Sequence, residues 1–357
     1  MAISVTGCSL YQDYFEPVEA EPAQVAVPLE ERTRLSPINR NYFVLESPDQ
    51  SVVGEPQVIF TREENTFSDL AREYGLGYDE LVAANPDVDP WLPGDNTPVL
   101  LPTQYILPDV PKRGVVLNIA SKRLFYFPPV EEGEPLKVMT YPIGIGRVGW
   151  ETPLGETTVV SKARDPHWYV PASVRKEHAE MGDPLPSIVL PGPDNPLGSH
   201  VLKLNIPGYL IHGTNQPYGV GMRVSHGCVR LYPENIELLY SLVDVGEEVR
   251  IINEPYLVGR LNDELYFESH EPLEDDTISA DEHLQKAFES YADFDDQALR
   301  DAAKAIAAGE KGVPLRVVST DPMELFDRAR VVINTVEQDP NAPTLAEVRA
   351  LLDEPDE

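Results

Sequence analysis

Leu210-Ile211-His212-Gly213-Thr214-Asn215, followed by Ser225-His226-Gly227-Cys228-Val229-Arg230-Leu231, is the stretch on which the reading of this chain turns. Leu210 to His212 closes a short strand. Cys228 lies sixteen residues beyond His212, just before a helix opened by Pro233. Four glycines in the return, Gly213, Gly219, Gly221 and Gly227, let the chain bring cysteine and histidine together. A free thiol has a pKa of about 8.5 and is a weak nucleophile until a base or cation favours its thiolate. A histidine within hydrogen-bond reach does this, lowering the thiol pKa. Gly227 permits a tight turn in which the N–H groups of His226, Gly227 and Cys228 converge on one oxygen, as an oxyanion hole requires.

Three plainer readings compete. An isolated cysteine is often an inert core residue, but two histidines and the glycine spacing argue against that here. His212, His226 and Cys228 all have zinc-ligating chemistry, yet no second cysteine lies nearby and no His-Glu-x-x-His occurs. No metal and no cofactor is invoked. His167, His178, His200, His270 and His283 read as histidines that satisfy backbone groups.

Outward from the motif, residues 111–254 are rich in short strands. Val115–Ile119 and Arg123–Phe127 form a hairpin; Lys137–Ile143, Thr157–Ser161, Val201–Asn205, Tyr209–His212 and Glu248–Ile252 follow. Pro233–Val243 is the helix. Many short strands broken by Gly and Pro predict a mainly β domain, a sandwich or partly closed barrel with one minor helix. Residues 163–200 read as a long Pro-rich insertion, of the kind that forms lids or binding loops. Trp168 and Tyr169 lie in it.

Residues 41–110 predict a small α+β module: a strand at 57–60, helices over 66–74 and 79–85, and a strand at 99–101. Residues 1–40 read as an extended Pro- and Glu-rich tether. Val5-Thr6-Gly7-Cys8-Ser9 near the start resembles the end of a bacterial lipoprotein signal, with Cys8 the lipidated residue. Residues 255–357, holding 25 acidic and 9 basic side chains, predict an acidic, mostly helical appendage. The whole chain carries 28 Lys and Arg against 60 Asp and Glu, a net charge of −32. That sign excludes a nucleic-acid partner, whose phosphates require cations. No apolar run is long enough for a membrane-spanning helix, so any membrane contact would come through lipidation.

The stretch from Thr66-Phe67 through Ala71, Tyr74-Gly75, Leu81, Asn85-Pro86 and Leu92-Pro93-Gly94 to Leu101-Pro102 resembles the LysM module. That family binds the N-acetylglucosamine of peptidoglycan or chitin; a packing module that orients the next domain is the alternative. His212 and Ser-His-Gly-Cys-Val-Arg at this spacing, with Glu151-Thr152-Pro153-Leu154-Gly155 and Trp168-Tyr169-Val170-Pro171, resemble the L,D-transpeptidase (YkuD-type) catalytic domain. The resemblance implies Cys228 as nucleophile, His212 as base and the Gly213 carbonyl as its orienting group. It also implies His226, Gly227 and Cys228 as the oxyanion hole. Arg230, Asn215, Trp168 and Tyr169 are the candidate substrate contacts. The partners it implies are peptidoglycan stem peptides, and an outer-membrane lipoprotein as a possible acceptor, in the periplasm of a Gram-negative cell. An L,D-carboxypeptidase or cross-link hydrolase, and a non-catalytic wall-binding protein, are the rival functions.

Overall fold

A computed structural model describes residues 27–38, 41–289, 291, 297–309, 311–318 and 323–336. Cys8, most of the expected tether and the end of the expected helical appendage, from residue 337 onward, lie outside them. The chain divides into two compact units, Met1–Arg32 and Thr33–Glu357. The described part of the first holds one 3-10 turn at Leu29–Glu31.

Strand β1 (Tyr42–Val44) and strand β2 (Val52–Gly54) precede a βααβ unit: β3 (Gln57–Phe60), α1 (Phe67–Glu73), α2 (Tyr78–Ala84) and β4 (Pro98–Leu101). Thr66 and Asp69 form a capping box at the start of α1. The helical spacing expected from the sequence puts Phe67, Leu70 and Ala71 in a core with Tyr74, Ile59, Val99 and Leu101. Buried Asn85 closes the unit, bonding Leu81 O, Leu100 O and Leu100 N–H.

Strand β5 (Gln104–Ile106) leads into β6 (Gly114–Asn118), β7 (Arg123–Phe127), β8 (Lys137–Pro142), β9 (Ile145–Gly146) and the long β10 (Gly155–Arg164). After β11 (Trp168–Tyr169), α3 (Ala172–Glu180) and β12 (Ile188–Val189) come β13 (His200–Leu204), β14 (Leu210–His212), β15 (Arg223–Ser225) and β16 (Val229–Arg230). Helix α4 (Pro233–Leu242) and β17 (Glu248–Ile252) complete this part. Nine strands form one sheet in the order β1-β8-β7-β6-β17-β10-β13-β14-β16. Distant members of that order share one core: Val115, Leu124 and Tyr126 pack in the same cluster as Leu202, Ile211 and Val229. The sheet therefore curls on itself, and Ile236, Leu239 and Val243 of the α4 segment join the same cluster. Alternation explains why β6 is buried throughout. Val115 and Leu117 face this core, while Val116 faces a second one with Tyr105, Phe125 and Val138.

Two expectations are corrected. The mainly β region holds two helices rather than one, because the expected loop at 163–200 contains α3 and the small β11–β12 pair. Helix α3 buries only Val174, so no apolar stripe announces it. Among the described residues, the C-terminal part expected to be mostly helical also contains a sheet. Strands β18 (Tyr256–Leu261), β19 (Glu264–Ser269) and β20 (Leu315–Arg316) make a sheet covered by α5 (Ala280–Ala287) and α6 (Gln297–Ala307). After α7 (Met323–Arg328), β21 (Arg330–Val331) pairs in parallel with β3, and Val332 enters the βααβ core. Leu35, within the expected tether, bridges to Val332 on that edge. The outer faces of β3 and β4 carry Val58 and Leu100, which need cover; the C-terminal cluster supplies it.

The βααβ unit is tied to the large sheet through polar contacts. Glu80 reaches Arg123 at 2.5 Å, with side chains only 10% and 2% exposed, and Arg123 lies over the Tyr105 ring. Tyr78 N–H donates to Val220 O, and a Cβ on Gly221 would meet Gly77 Cα at 2.3 Å. The turn between α1 and α2 thus rests on the loop that leads to Cys228.

Candidate active site

Parallel pairing of β14 with β16 sets His212 opposite Arg230 and Ile211 opposite Val229. Side chains alternate across a strand, so Leu210, His212, Cys228 and Arg230 share one face. That face floors a cavity of about 600 Å³. Trp168, Tyr169, Pro171, Val174 and His178 from the insertion also line it, together with Trp150 and His226.

His212 is buried, and its Nδ1 lies 2.6 Å from Gly213 O. A carbonyl only accepts, so Nδ1 carries the hydrogen and Nε2 keeps its lone pair. Burial, reinforced by the Arg230 charge, pushes the imidazole down to about 3. The ring is neutral near pH 7. Cys228 is half-buried; its thiol donates to Gly208 O at 3.6 Å, and Leu210 N–H bonds the sulfur. Among the described residues no hydrogen bond joins Sγ to the imidazole. Burial pushes the thiol pKa up, against the opposing pull of Leu210 N–H and Arg230. The sequence reading expects the imidazole to lower the thiol pKa; in the fold, withdrawal from water disfavours charge on both partners. The charge of Arg230 acts on the sulfur, and the buried Nε of that arginine has no partner among the described residues.

The turn before Cys228 is rigidly held. Ser225 Oγ donates to Cys228 O at 2.5 Å, and Thr152 Oγ1 donates to Gly227 O at 3.0 Å. Gly227 has φ +96°, and an added Cβ would meet Tyr209 Cε1 at 3.0 Å. The N–H groups of His226, Gly227 and Cys228 have no hydrogen-bond partner among the described residues. His226 packs edge-on against Trp150 at 4.9 Å, and its Nε2 lies 3.0 Å from Glu177 of α3. Glu177 also pairs with Arg147, which holds its carboxyl below the usual range. Helix α3 is thus fastened to the turn that carries the cysteine.

Of the candidates read from sequence, His212, Cys228, Arg230, His226, Asn215, Trp168 and Tyr169 all line this cavity; Gly213 is not among the lining residues but holds the imidazole through its carbonyl, and Gly227 lies in the turn just before Cys228. His167 and His178, expected to be structural, line it too. Ser161, Lys203 and Asp194 are further lining residues that the sequence reading missed. The available signal for Lys203 was strand alternation, which sets Val201 and Lys203 on the face opposite the core residues Leu202 and Leu204. Among the described residues no cluster of three or more His, Cys, Asp or Glu side chains is arranged to hold a metal ion.

A thiol and a neutral imidazole on adjacent strand ends, with free backbone donors between them in a cavity, define an enzyme-type site on a curled β scaffold. Comparison with known proteins agrees. The family model described as the L,D-transpeptidase catalytic domain (YkuD) matches residues 112–251. The probable L,D-transpeptidase YcfS of Escherichia coli (strain K12) is 38% identical over 267 residues, 72% of this chain and 82% of that protein. The probable L,D-transpeptidase YbiS of the same strain is 41% identical over 235 residues, 65% of this chain and 75% of that one. The probable L,D-transpeptidase ErfK/SrfK of Salmonella typhimurium (strain LT2) is 40% identical over 226 residues, covering 62% and 72%. The NMR structure of the catalytic domain of the Enterococcus faecium L,D-transpeptidase is 19% identical, with a TM-score of 0.30, covering 41% of this chain and 100% of that one. The chain belongs to the L,D-transpeptidase family. Among the described residues no helix is long and apolar enough to cross a membrane.

Proposed function

We propose that this chain transfers an acyl group from a peptidoglycan tetrapeptide stem to an amine, through a thioester on Cys228. The sulfur attacks the carbonyl of the L-centre of diaminopimelate. As the S–C bond forms, the thiol proton passes to Nε2 of His212, and that proton then leaves with the D-alanine amine as the C–N bond breaks. The incoming amine attacks the thioester, His212 accepts its surplus proton, and the sulfur departs and is reprotonated. The amine is a second diaminopimelate, giving a 3–3 cross-link, or a lysine of an outer-membrane lipoprotein.

The observation that carries this reading is the pairing of a neutral imidazole, its Nδ1–H committed to Gly213 O, with a thiol on the same sheet face. Both groups rest uncharged, so proton transfer accompanies attack rather than preceding it. Arg230 favours the thiolate as it forms. The unpartnered N–H groups of His226, Gly227 and Cys228 suit the developing oxyanion. Trp168, Tyr169 and Asn215 contact the stem peptide. The insertion, with α3, acts as a lid that limits competition by water for the thioester. The βααβ unit is a LysM-like module, and the enzyme works in the periplasm, anchored through a lipid on Cys8.

Intact-mass analysis after incubation with a carbapenem, a drug class that typically acylates this family, tests the assignment. The expected result is one adduct on Cys228, absent in Cys228→Ala and in His212→Ala. An adduct that persists without Cys228, or an unreacted folded wild-type protein, would overturn it. Stem peptides with and without an acceptor amine then separate transfer from hydrolysis.

A further inference from the structure

The cavity floor is sheet, and its side chains fall into two rungs. Ser161 pairs with Lys203 and Lys203 with Leu210, and Leu210 adjoins Cys228. In the next rung Ala163 pairs with Val201, Val201 with His212, and His212 with Arg230. All eight line the cavity. Lys203 thus opens onto the same space as the thiol, two strand spacings away, about 10 Å from backbone to backbone. It is exposed, and its ammonium has no ion pair or hydrogen bond among the described residues. Lys162, on the opposite face of β10, is instead engaged by Val243 O and the Tyr240 ring. The cavity's other formal charges are Arg230 and Asp194. A chain of net charge −32 therefore lines this one cavity with two cations against a single carboxylate.

We propose that Lys203 determines donor specificity by binding a carboxylate at the far end of the side chain whose own carbonyl Cys228 attacks. This rests on the transpeptidase reading above. The attacked carbonyl must sit against Sγ, so the gap to Lys203 is spanned by the donor's side chain lying across Leu210. A flexible chain ending in a carboxylate fills that gap and meets a compact ammonium. A side chain ending in an ammonium alone meets like charge. Arg230 is closer to the sulfur, but it is half-buried and its charge acts on the thiol and the imidazole. It is therefore engaged with the reacting pair, and Lys203 is free for the substrate.

The test compares two tetrapeptide donors, one with diaminopimelate and one in which the far carboxylate is amidated. The readout is kcat/KM for D-alanine release by the full chain. The wild type should prefer the carboxylate donor by roughly tenfold or more, as expected for one charge-assisted contact. In Lys203→Met that ratio should collapse toward one, chiefly through KM, and Lys203→Arg should restore most of it. Equal loss on both donors in Lys203→Met, or an unaltered ratio, would overturn the assignment alone. A folded wild type that releases D-alanine from neither donor would overturn the transpeptidase reading and this assignment with it.

Discussion

His212 links the site to the stability of the whole fold. Its imidazole is held at about 3 in the folded chain, against about 6.5 when unfolded. Between those values the unfolded chain binds a proton that the folded chain does not, so stability rises with pH across the window. It is fully present above about 6.5 and drains away as pH falls toward about 3. The whole span corresponds to roughly 5 kcal/mol as a ceiling, and the part lost between pH 7.5 and 4.5 to about 3 kcal/mol. The perturbation is His212→Gln, which retains a donor for Gly213 O and does not titrate. Urea unfolding of both proteins at the two pH values is the assay; the remaining titrating groups are common to both and cancel. Wild type should lose about 3 kcal/mol more than the variant on acidification. A difference below about 0.5 kcal/mol would mean that the folded imidazole titrates like an exposed one. His212 would then not be a neutral resting base.

Other consequences are open to measurement. Glu80→Ala strands the buried Arg123 guanidinium and should cost about 3–5 kcal/mol in urea unfolding. Loss of the exposed Arg113–Glu248 pair should cost under about 1 kcal/mol. Gly227→Ala forces a side chain into a φ of +96° against Tyr209. Carbapenem acylation should slow by roughly a hundredfold as the N–H donors turn away; a rate near wild type would refute their role. Glu177→Ala frees α3 from Arg147 and His226. In product analysis by mass spectrometry it should raise hydrolysis relative to transfer, and an unchanged ratio would refute the lid.

Much of the fold was legible because local rules apply where burial is regular. The helix expected over 66–74 is α1, and Phe67, Leu70, Ala71 and Tyr74 lie on the face it buries. Pro233 opens α4 where expected. Helix α3 escaped notice because a helix with one buried residue has no apolar period. The sheet at 256–269 was missed because both of its faces are covered: Tyr256, Val258 and Phe267 pack into one cluster and Leu257 and Tyr266 into another, so the strands carry no apolar–polar alternation. At the site, the motif pointed to Cys228, His212 and the glycine turn. Lys203, Asp194 and His178 come from three separate segments and meet only in space.

By itself the amino-acid order established the cysteine, the histidine and the turn between them, since short-range backbone geometry is written in neighbouring residues. The charge state of that pair was decided only by tertiary packing. Desolvation depends on every segment that closes over a group, and those segments are far apart along the chain. A sequence that promised a lowered thiol pKa therefore folds into a site where both partners rest uncharged.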